Sequence, residues 1–301
     1  MGGEYRTMKE KMEERGGDWM QIVSTMREMS SMSDELRKGG KTIVLVPTMG
    51  YFHEGHLSLM REGRGRGDVL VVSLFVNPTQ FGEGEDYQIY PRDFSRDKGL
   101  IKGIGVDILF VPTVEEIYPE GYQTFVEVER VTKPMEGQFR PIHFRGVTTV
   151  VAKLFNIVKP HMAIFGEKDF QQLVVIRRMV EDLNMGVEII GMPIVRERDG
   201  LAMSSRNSYL TPDQRKAALS LNRSLQKVSQ LFRSGERDPG RIISAVRRVI
   251  ESERDVTIEY VELRDAKTLE EIEIIEGEAV IALAAKVGKV RLIDNLILRR
   301  E

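Results

Sequence analysis

The sequence predicts an α/β protein: a doubly wound parallel sheet covered on both faces, followed by a second, smaller α+β unit at the C-terminal end. Short, continuous apolar runs alternate with helical stretches up to residue 195. Strands buried on both faces read this way, whereas half-exposed strands alternate apolar and polar residues. After "RERDG" (196–200) two long helical stretches precede three clustered strand patterns, which suggests antiparallel pairing. The length, 301 residues, exceeds one average domain, and 41% hydrophobic with 30% charged residues suits a sizeable core. The expected division is 1–195 and 196–301, with 1–18 as an extension.

The elements follow in order. Residues 19–38 ("WMQIVSTMREMSSMSDELRK") read as one amphipathic helix closed by Gly39 and Gly40. "TIVLVP" (42–47) is a β-branched apolar run and reads as a buried strand. "HLSLMREGRGR" (56–66) predicts a helix weakened by Gly63 and Gly65. "DVLVVSLFV" (68–76) is a second strand, "DFSRDKGLIKGIG" (93–105) a helix, and "DILFVP" (107–112) a third strand. "GVTTVVAKLFNIV" (146–158) is apolar nearly all round, so a core helix and a strand both fit. "MAIF" (162–165) is a strand, and 169–184 is a helix whose apolar face runs through Ile176, Met179 and Leu183. "VEIIGMPIV" (187–195) is a strand. Beyond 196, helices are predicted near 212–234 and 238–252, then strands in "VTIEYVELRD", "AVIALAAKV" and "VRLIDN".

Composition excludes several classes. A net charge of −2 gives no global basic surplus for a nucleic-acid or membrane partner, so any anion site must be built locally. With no cysteine, disulfides, thiolate metal sites and a cysteine nucleophile are ruled out. The opening "MGGEYRTMKEKMEERGG" mixes both charge signs without an apolar core segment, unlike a signal or transit peptide. No run approaches the ~20 apolar residues of a membrane span. A cytoplasmic location is expected.

The turn after the first strand concentrates the chemistry. "VPTMGYFHEGHLSLM" (46–60) holds His53 and His56, two of the chain's four histidines. Ligands of an open parallel sheet bind beyond the carboxyl ends of its strands. A helix beginning near Gly55 would aim free N–H groups and its positive dipole end into that crevice, forming an anion site. Gly50 and Gly55 would let the backbone approach a phosphate, and two imidazoles add N–H donors for charge developing in a transition state. A zinc site is disfavoured, because the helical zinc motif spaces its histidines four apart and no thiolate is available. A histidine acting only as a cap or buried spacer fits an isolated H-x-G-H turn equally well.

Further segments place polar groups at the same rim. "IFGEKDFQQL" (164–173) is again strand, loop and helix, with Lys168 in the loop where a cation could meet a phosphate. Asp169 and Gln172 have capping-box spacing, which would occupy both locally. Gln172 nevertheless lies one turn before Ile176 on the apolar face, where its amide needs a partner and a ligand is a candidate. In "LAMSSRNSYL" (201–210), Ser204, Ser205 and Arg206 suit phosphate contact, while a plain surface turn is the simpler explanation. "SLFVNPTQF" puts Asn77 and Gln80 just beyond the second strand, either as amide contacts to a small substrate or as a β-turn around Pro78. "RPIHFRGV" (140–147) brings Arg140, His143 and Arg145 before a helix, and spacing does not decide between an anion contact and an entry loop.

Taken together and in this order, "PTMGYFHEGH", "FVNPTQF", "YPR", "GEKDFQQL", "LAMSSRN" and "RLIDN" resemble the pantoate–β-alanine ligase family over about residues 20–298. The resemblance implies a Rossmann-like nucleotide domain, a smaller C-terminal domain that closes over it, and a homodimer. It implies ATP as substrate, held by Met49, Gly50, Tyr51, Phe52, His53, Glu54, Gly55 and His56, by Gly166, Glu167, Lys168 and Asp169, and by Val195, Met203, Ser204, Ser205 and Arg206. His56 matches the family's proton donor, with His53, Lys168 and Arg206 beside it in catalysis. Gln80 would contact pantoate and β-alanine, Gln172 pantoate, and Asn77 would neighbour pantoate. The implied reaction runs through pantoyl adenylate, with Mg²⁺ carried on the phosphates and no protein metal site.

Two positions depart from the family pattern: Phe52 stands where Leu is usual, and Ile142 where "RPGHF" would have Gly. Two other functions compete. Another H-x-G-H nucleotidyltransferase would release pyrophosphate with phosphorylated acceptors and none with pantoate. A nucleotide-binding regulatory module would bind ATP and never yield AMP.

Overall fold

The computed structural model describes residues 20–299. Trp19, the extension 1–18 and residues 300–301 lie outside the described residues. Six parallel strands form one sheet: β1 (Gln21–Val23), β2 (Ile43–Thr48), β3 (Val69–Leu74), β4 (Ile108–Phe110), β5 (Met162–Gly166) and β6 (Glu188–Met192). Their order is β1-β4-β3-β2-β5-β6. Val44 of β2 is in register with Leu70 of β3 on one side and with Met162 of β5 on the other. The chain therefore winds outward in both directions from β2, and the switch point lies between β2 and β5, where a crevice opens at the carboxyl ends.

Burial on both faces explains the continuous apolar strands. In β2, Ile43 and Leu45 pack with Met29 and Leu36 of helix α1 (Met26–Lys38) and with helix α4 (His143–Val158). Val44 and Val46 face the opposite layer, against Leu57 and Met60 of helix α2 (Glu54–Arg66) and Ile101, which follows helix α3 (Phe94–Leu100). Helix α2 runs unbroken through Gly63 and Gly65. The apolar stretch 146–158 is a core helix: a helix wedged between a sheet and further helices has no polar face to show.

The expected single helix over 19–38 is corrected. Gln21–Val23 forms the edge strand β1, paired with Ile108–Phe110, and α1 starts only after Thr25, whose hydroxyl accepts from the Glu28 N–H. In helix α5 (Phe170–Asp182), the expected apolar line ends at Met179, because Leu183 is 53% exposed. Asp169 precedes α5 without a side-chain cap, so the capping box is absent and Gln172 keeps its amide free of that duty.

The C-terminal part places helices α6 (Pro212–Arg233) and α7 (Pro239–Glu251) on an antiparallel sheet, β7 (Val256–Asp265), β8 (Ala279–Val287) and β9 (Val290–Leu298). Along β8, Ile281, Leu283 and Ala285 face α6 and α7. The alternating set Val280, Ala282 and Ala284 faces Phe170, Val174 and Val175 of α5. This small sheet is thus sandwiched between its own helices and the parallel-sheet unit, with short alanines allowing close approach.

Candidate active site

The turn that ends β2 is held from a distance. Asp97, 1% exposed on α3, accepts the backbone N–H groups of Tyr51 at 2.6 Å and Phe52 at 2.7 Å. Tyr51 adopts a left-handed φ of 52°, a strained position for a residue with a side chain, and the carboxylate holds it there. Burial raises the Asp97 pKa against the pull of these two donors. Nothing in the sequence marked this residue. The turn delivers His53 as N-cap of α2 and His56 in its first turn.

The two imidazoles lie 4.1 Å apart, centre to centre, and His56 Nδ1 accepts the His53 N–H at 3.4 Å. That bond leaves the His56 proton on Nε2. Burial, reinforced by Lys168, lowers His53 to about 4; burial, His53 and Lys168 hold His56 well below its ordinary value. Both rings are neutral at pH 7 and offer N–H dipoles. His53 Nδ1 is buried without a hydrogen-bond partner among the described residues, an unmet polar atom of the kind a ligand satisfies.

Three separated segments meet at one cavity of about 1040 Å³. His53 and His56 come from the β2 turn, Lys168, Asp169 and Gln172 from the β5 turn, and Met203, Ser204, Ser205 and Arg206 from the loop after residue 200. A hairpin delivers that last loop: Met203 N donates to Val195 O at 3.0 Å and Arg196 bridges Ala202. Ser205 Oγ reaches Tyr51 O at 3.5 Å, so the third segment already closes on the first. Arg206 is paired side-on with Asp86 from the loop after β3, with Nε and Nη2 each at 2.8 Å. Burial pushes Asp86 up, but the hydrogen bonds and charge of Arg206, with smaller contributions, together outweigh it and leave the carboxyl low.

Not every residue of the anticipated ATP site faces this cavity. Met49, His53, Gly55, His56, Gly166, Lys168, Asp169, Val195 and Met203 to Arg206 line it. Gly50 and Tyr51 form the turn behind it, and Phe52 is a fully buried core residue, which explains why a larger ring is accommodated there. Glu54 points outward to Arg61, and Glu167 offers its carbonyl to Asn295. Ile142, at the second departure from the family pattern, is 47% exposed and fills no core position.

The amides anticipated at the substrate differ in how far the fold already employs them. Asn77 is buried and fully employed: Nδ2 donates to Gly146 O at 3.0 Å, and Oδ1 accepts from the Tyr118 hydroxyl at 2.9 Å. Its work is to seat the 3₁₀ turn Pro78–Gln80 against α4. Only glycine permits this approach at 146, where a Cβ would sit 2.4 Å from Thr79 O. Gln80 lies at the cleft wall with Nε2 3.0 Å from Met49 Sδ. The unassigned His143 braces the same turn: burial lowers it to about 4, and its neutral ring donates through Nδ1 to Gln80 O at 3.1 Å. Arg140 donates to that carbonyl at 3.3 Å and to Glu85. Gln172 and Gln171 both line the cavity, but the Gln171 amide is already employed, accepting from Glu136 N and donating to Val131 O and Pro134 O.

An H-x-G-H turn at the switch point of a parallel sheet, faced by a lysine and an arginine from two other loops, defines an α/β protein of the nucleotide-handling H-x-G-H class. The sequence profile of the pantoate-beta-alanine ligase family matches residues 21–297. The chain is 58% identical to the pantothenate synthetase of Thermotoga neapolitana, covering 93% of this chain and 100% of that one. It is 56% identical to the pantothenate synthetase of Geobacter sulfurreducens, covering 94% and 100%. Among solved structures, the enzyme of Thermus thermophilus superposes with a TM-score of 0.89 at 44% identity, over 93% of this chain and 100% of that chain. A Francisella tularensis pantoate-beta-alanine ligase, described as complexed with beta-gamma ATP and beta-alanine, gives 0.75 at 33% identity, over 94% and 99%. The chain belongs to the pantoate-β-alanine ligase family, enzymes that join pantoate to β-alanine.

Proposed function

We propose that the cleft performs this ligation in two steps at the expense of ATP. The pantoate carboxylate attacks the α-phosphorus, pyrophosphate leaves, and pantoyl adenylate forms. The β-alanine amine then attacks the activated carbonyl and AMP leaves. One observation carries the reading: Lys168, Arg206 and both imidazoles line the same cavity, at the N-terminus of α2. Two anions must be brought together, and preorganised cations and N–H dipoles lower that repulsion and hold the charge that builds on the phosphates.

Within this scheme His56 donates a hydrogen bond through Nε2–H to the developing charge, with His53 beside it. Gln172 and Gln80 orient pantoate, and Gln80 also meets the β-alanine amine side. Asn77 and His143 position Gln80. Among the described residues no cluster of three His, Asp or Glu is placed to hold a metal. In this reading Mg²⁺ arrives on the triphosphate, where it would neutralise phosphate charge.

The wider assignments extend the same reading. The division near residue 195 separates the parallel-sheet unit from the C-terminal unit. Among the described residues no helix is long and apolar enough to cross a membrane. A homodimer, which the family resemblance implies, belongs to the same reading. The deciding experiment follows pyrophosphate and AMP with ATP and pantoate, with and without β-alanine. Pyrophosphate with pantoate alone and AMP only after β-alanine is the expected pattern. Release with phosphorylated acceptors instead would overturn the assignment.

A further inference from the structure

The strand pattern "RLIDN" has no part in the chemistry above, yet Asp294 and Asn295 are both buried, at 3% and 4% exposure, on the cleft wall. Asn295 Nδ2 donates to the carbonyls of Glu167 and Lys168, each at 2.9 Å. One amide group thus clasps two successive carbonyls of the short turn that presents Lys168. The residue before it holds the other cationic loop. Asp294 receives both terminal nitrogens of Arg196, at 2.7 and 2.9 Å. Arg196 also donates to Gly200 O at 3.2 Å, bracing the hairpin that leads through Ala202 and Met203 to Arg206.

We propose that Asp294 and Asn295 are positioning residues: one dipeptide of β9 fastens the Lys168 turn and the Arg206 hairpin, so that both cations face the triphosphate at a fixed separation. The inference rests on the reading of this cleft as the ATP site. A lysine carries its charge on a flexible stem, so the backbone it starts from decides where the charge can settle. Fixed donors need no reorganisation as the reaction proceeds, and small displacements of them are expensive. Docking the two sheets together does not require these bonds. Arg291 already binds Glu136 at 2.7 and 2.9 Å, Tyr260 donates to Glu136 at 3.0 Å, and an apolar layer lies beneath.

The test is a double-variant cycle in the full-length enzyme: kcat and KM for ATP and for β-alanine in Asn295→Ala, Lys168→Ala and the pair, with thermal unfolding of each. Asn295→Ala is expected to lower kcat/KM for ATP by about tenfold while leaving KM for β-alanine unchanged. The pair is expected to be no worse than Lys168→Ala alone, because Asn295 acts through Lys168. Losses that add, or that fall equally on both substrates, mark a merely structural bond and overturn the proposal. If Asn295→Ala fails to fold, Asp294→Asn with Arg206→Ala runs the same cycle through the other arm, with the same expected and overturning results. Normal ATP kinetics in Lys168→Ala would defeat the ATP-site reading and this proposal together; an impaired Lys168→Ala with additive losses defeats this proposal alone.

Discussion

Arg206 and Asp86 meet side-on across the mouth of the cleft, with two parallel hydrogen bonds of 2.8 Å. The loop carrying Asp86 is fastened to the same segment a second time, through the Tyr209 hydroxyl and Ile89 O at 3.0 Å. On the proposed reading of the cleft, the carboxylate stands where a phosphate would approach the guanidinium, so ATP would compete with it.

Asp86→Asn keeps the shape and removes the competing charge. We expect binding of a non-hydrolysable ATP to tighten by about 3- to 10-fold, since a partly exposed ion pair is worth roughly 1 kcal/mol and 1.4 kcal/mol is tenfold. Titration calorimetry reads this directly. Weaker binding would mean that Asp86 orients Arg206 for the nucleotide and does not compete for it.

His56 is the imidazole whose Nε2–H the local hydrogen bond fixes. His56→Ala should lower kcat by about 10²–10³, the usual effect of losing one donor to developing charge. Its capping bond is long, so the fold should lose only about 1 kcal/mol. Single-turnover adenylate formation and urea unfolding check the two parts separately. Near-normal adenylate formation would remove His56 from the chemistry.

Adjacent glutamines make a sharper contrast. Both line the cavity, but Gln171 makes three bonds to backbone, two of them buried, and Gln172 makes none among the described residues. Gln171→Ala should destabilise by about 2–4 kcal/mol, because buried backbone groups lose their partners. Gln172→Ala should leave unfolding nearly unchanged and raise KM for pantoate more than KM for ATP. Equal effects on both substrates would place Gln172 outside the pantoate site.

How far this could be read in advance depended on where each signal resides. Strands buried on both faces carry continuous apolar runs, so β2, β3 and β5 were legible from composition alone. Residues 19–25 were not, because a three-residue edge strand is too short to show a period. The Thr25-x-x-Glu28 cap was the available mark of where the helix starts. The segments bearing His53, Lys168 and Arg206 announced themselves as polar loops after apolar strands. Asp97, Asp86 and Asn295 did not: each acts on backbone or charge brought to it from 45 residues or more away. The hydrogen bonds of the Asn77 amide were hidden for a related reason, since Gly146 and Tyr118 meet it only in the folded chain.

Acid stability should report the buried histidines. His53 and His143 titrate near 4 in the folded protein, and His56 lies lower than its ordinary value as well. The unfolded chain takes up these protons near pH 6.5, so the unfolded state binds more protons as pH falls from about 6.5 to 4. Stability is therefore expected to be full above about pH 7 and to decline through that window, before most carboxylates titrate. A shift of this size corresponds to about 3 kcal/mol for one fully buried ring. His143, against Gln80 O and Arg140, is the probe because its one ring contact to the backbone is defined. His143→Gln retains a donor for that carbonyl, and it should flatten unfolding free energy against pH between 6.5 and 4.5 by up to one proton's worth. An unchanged slope would show that His143 is already charged in the native protein, and its bracing of Gln80 would then need another account.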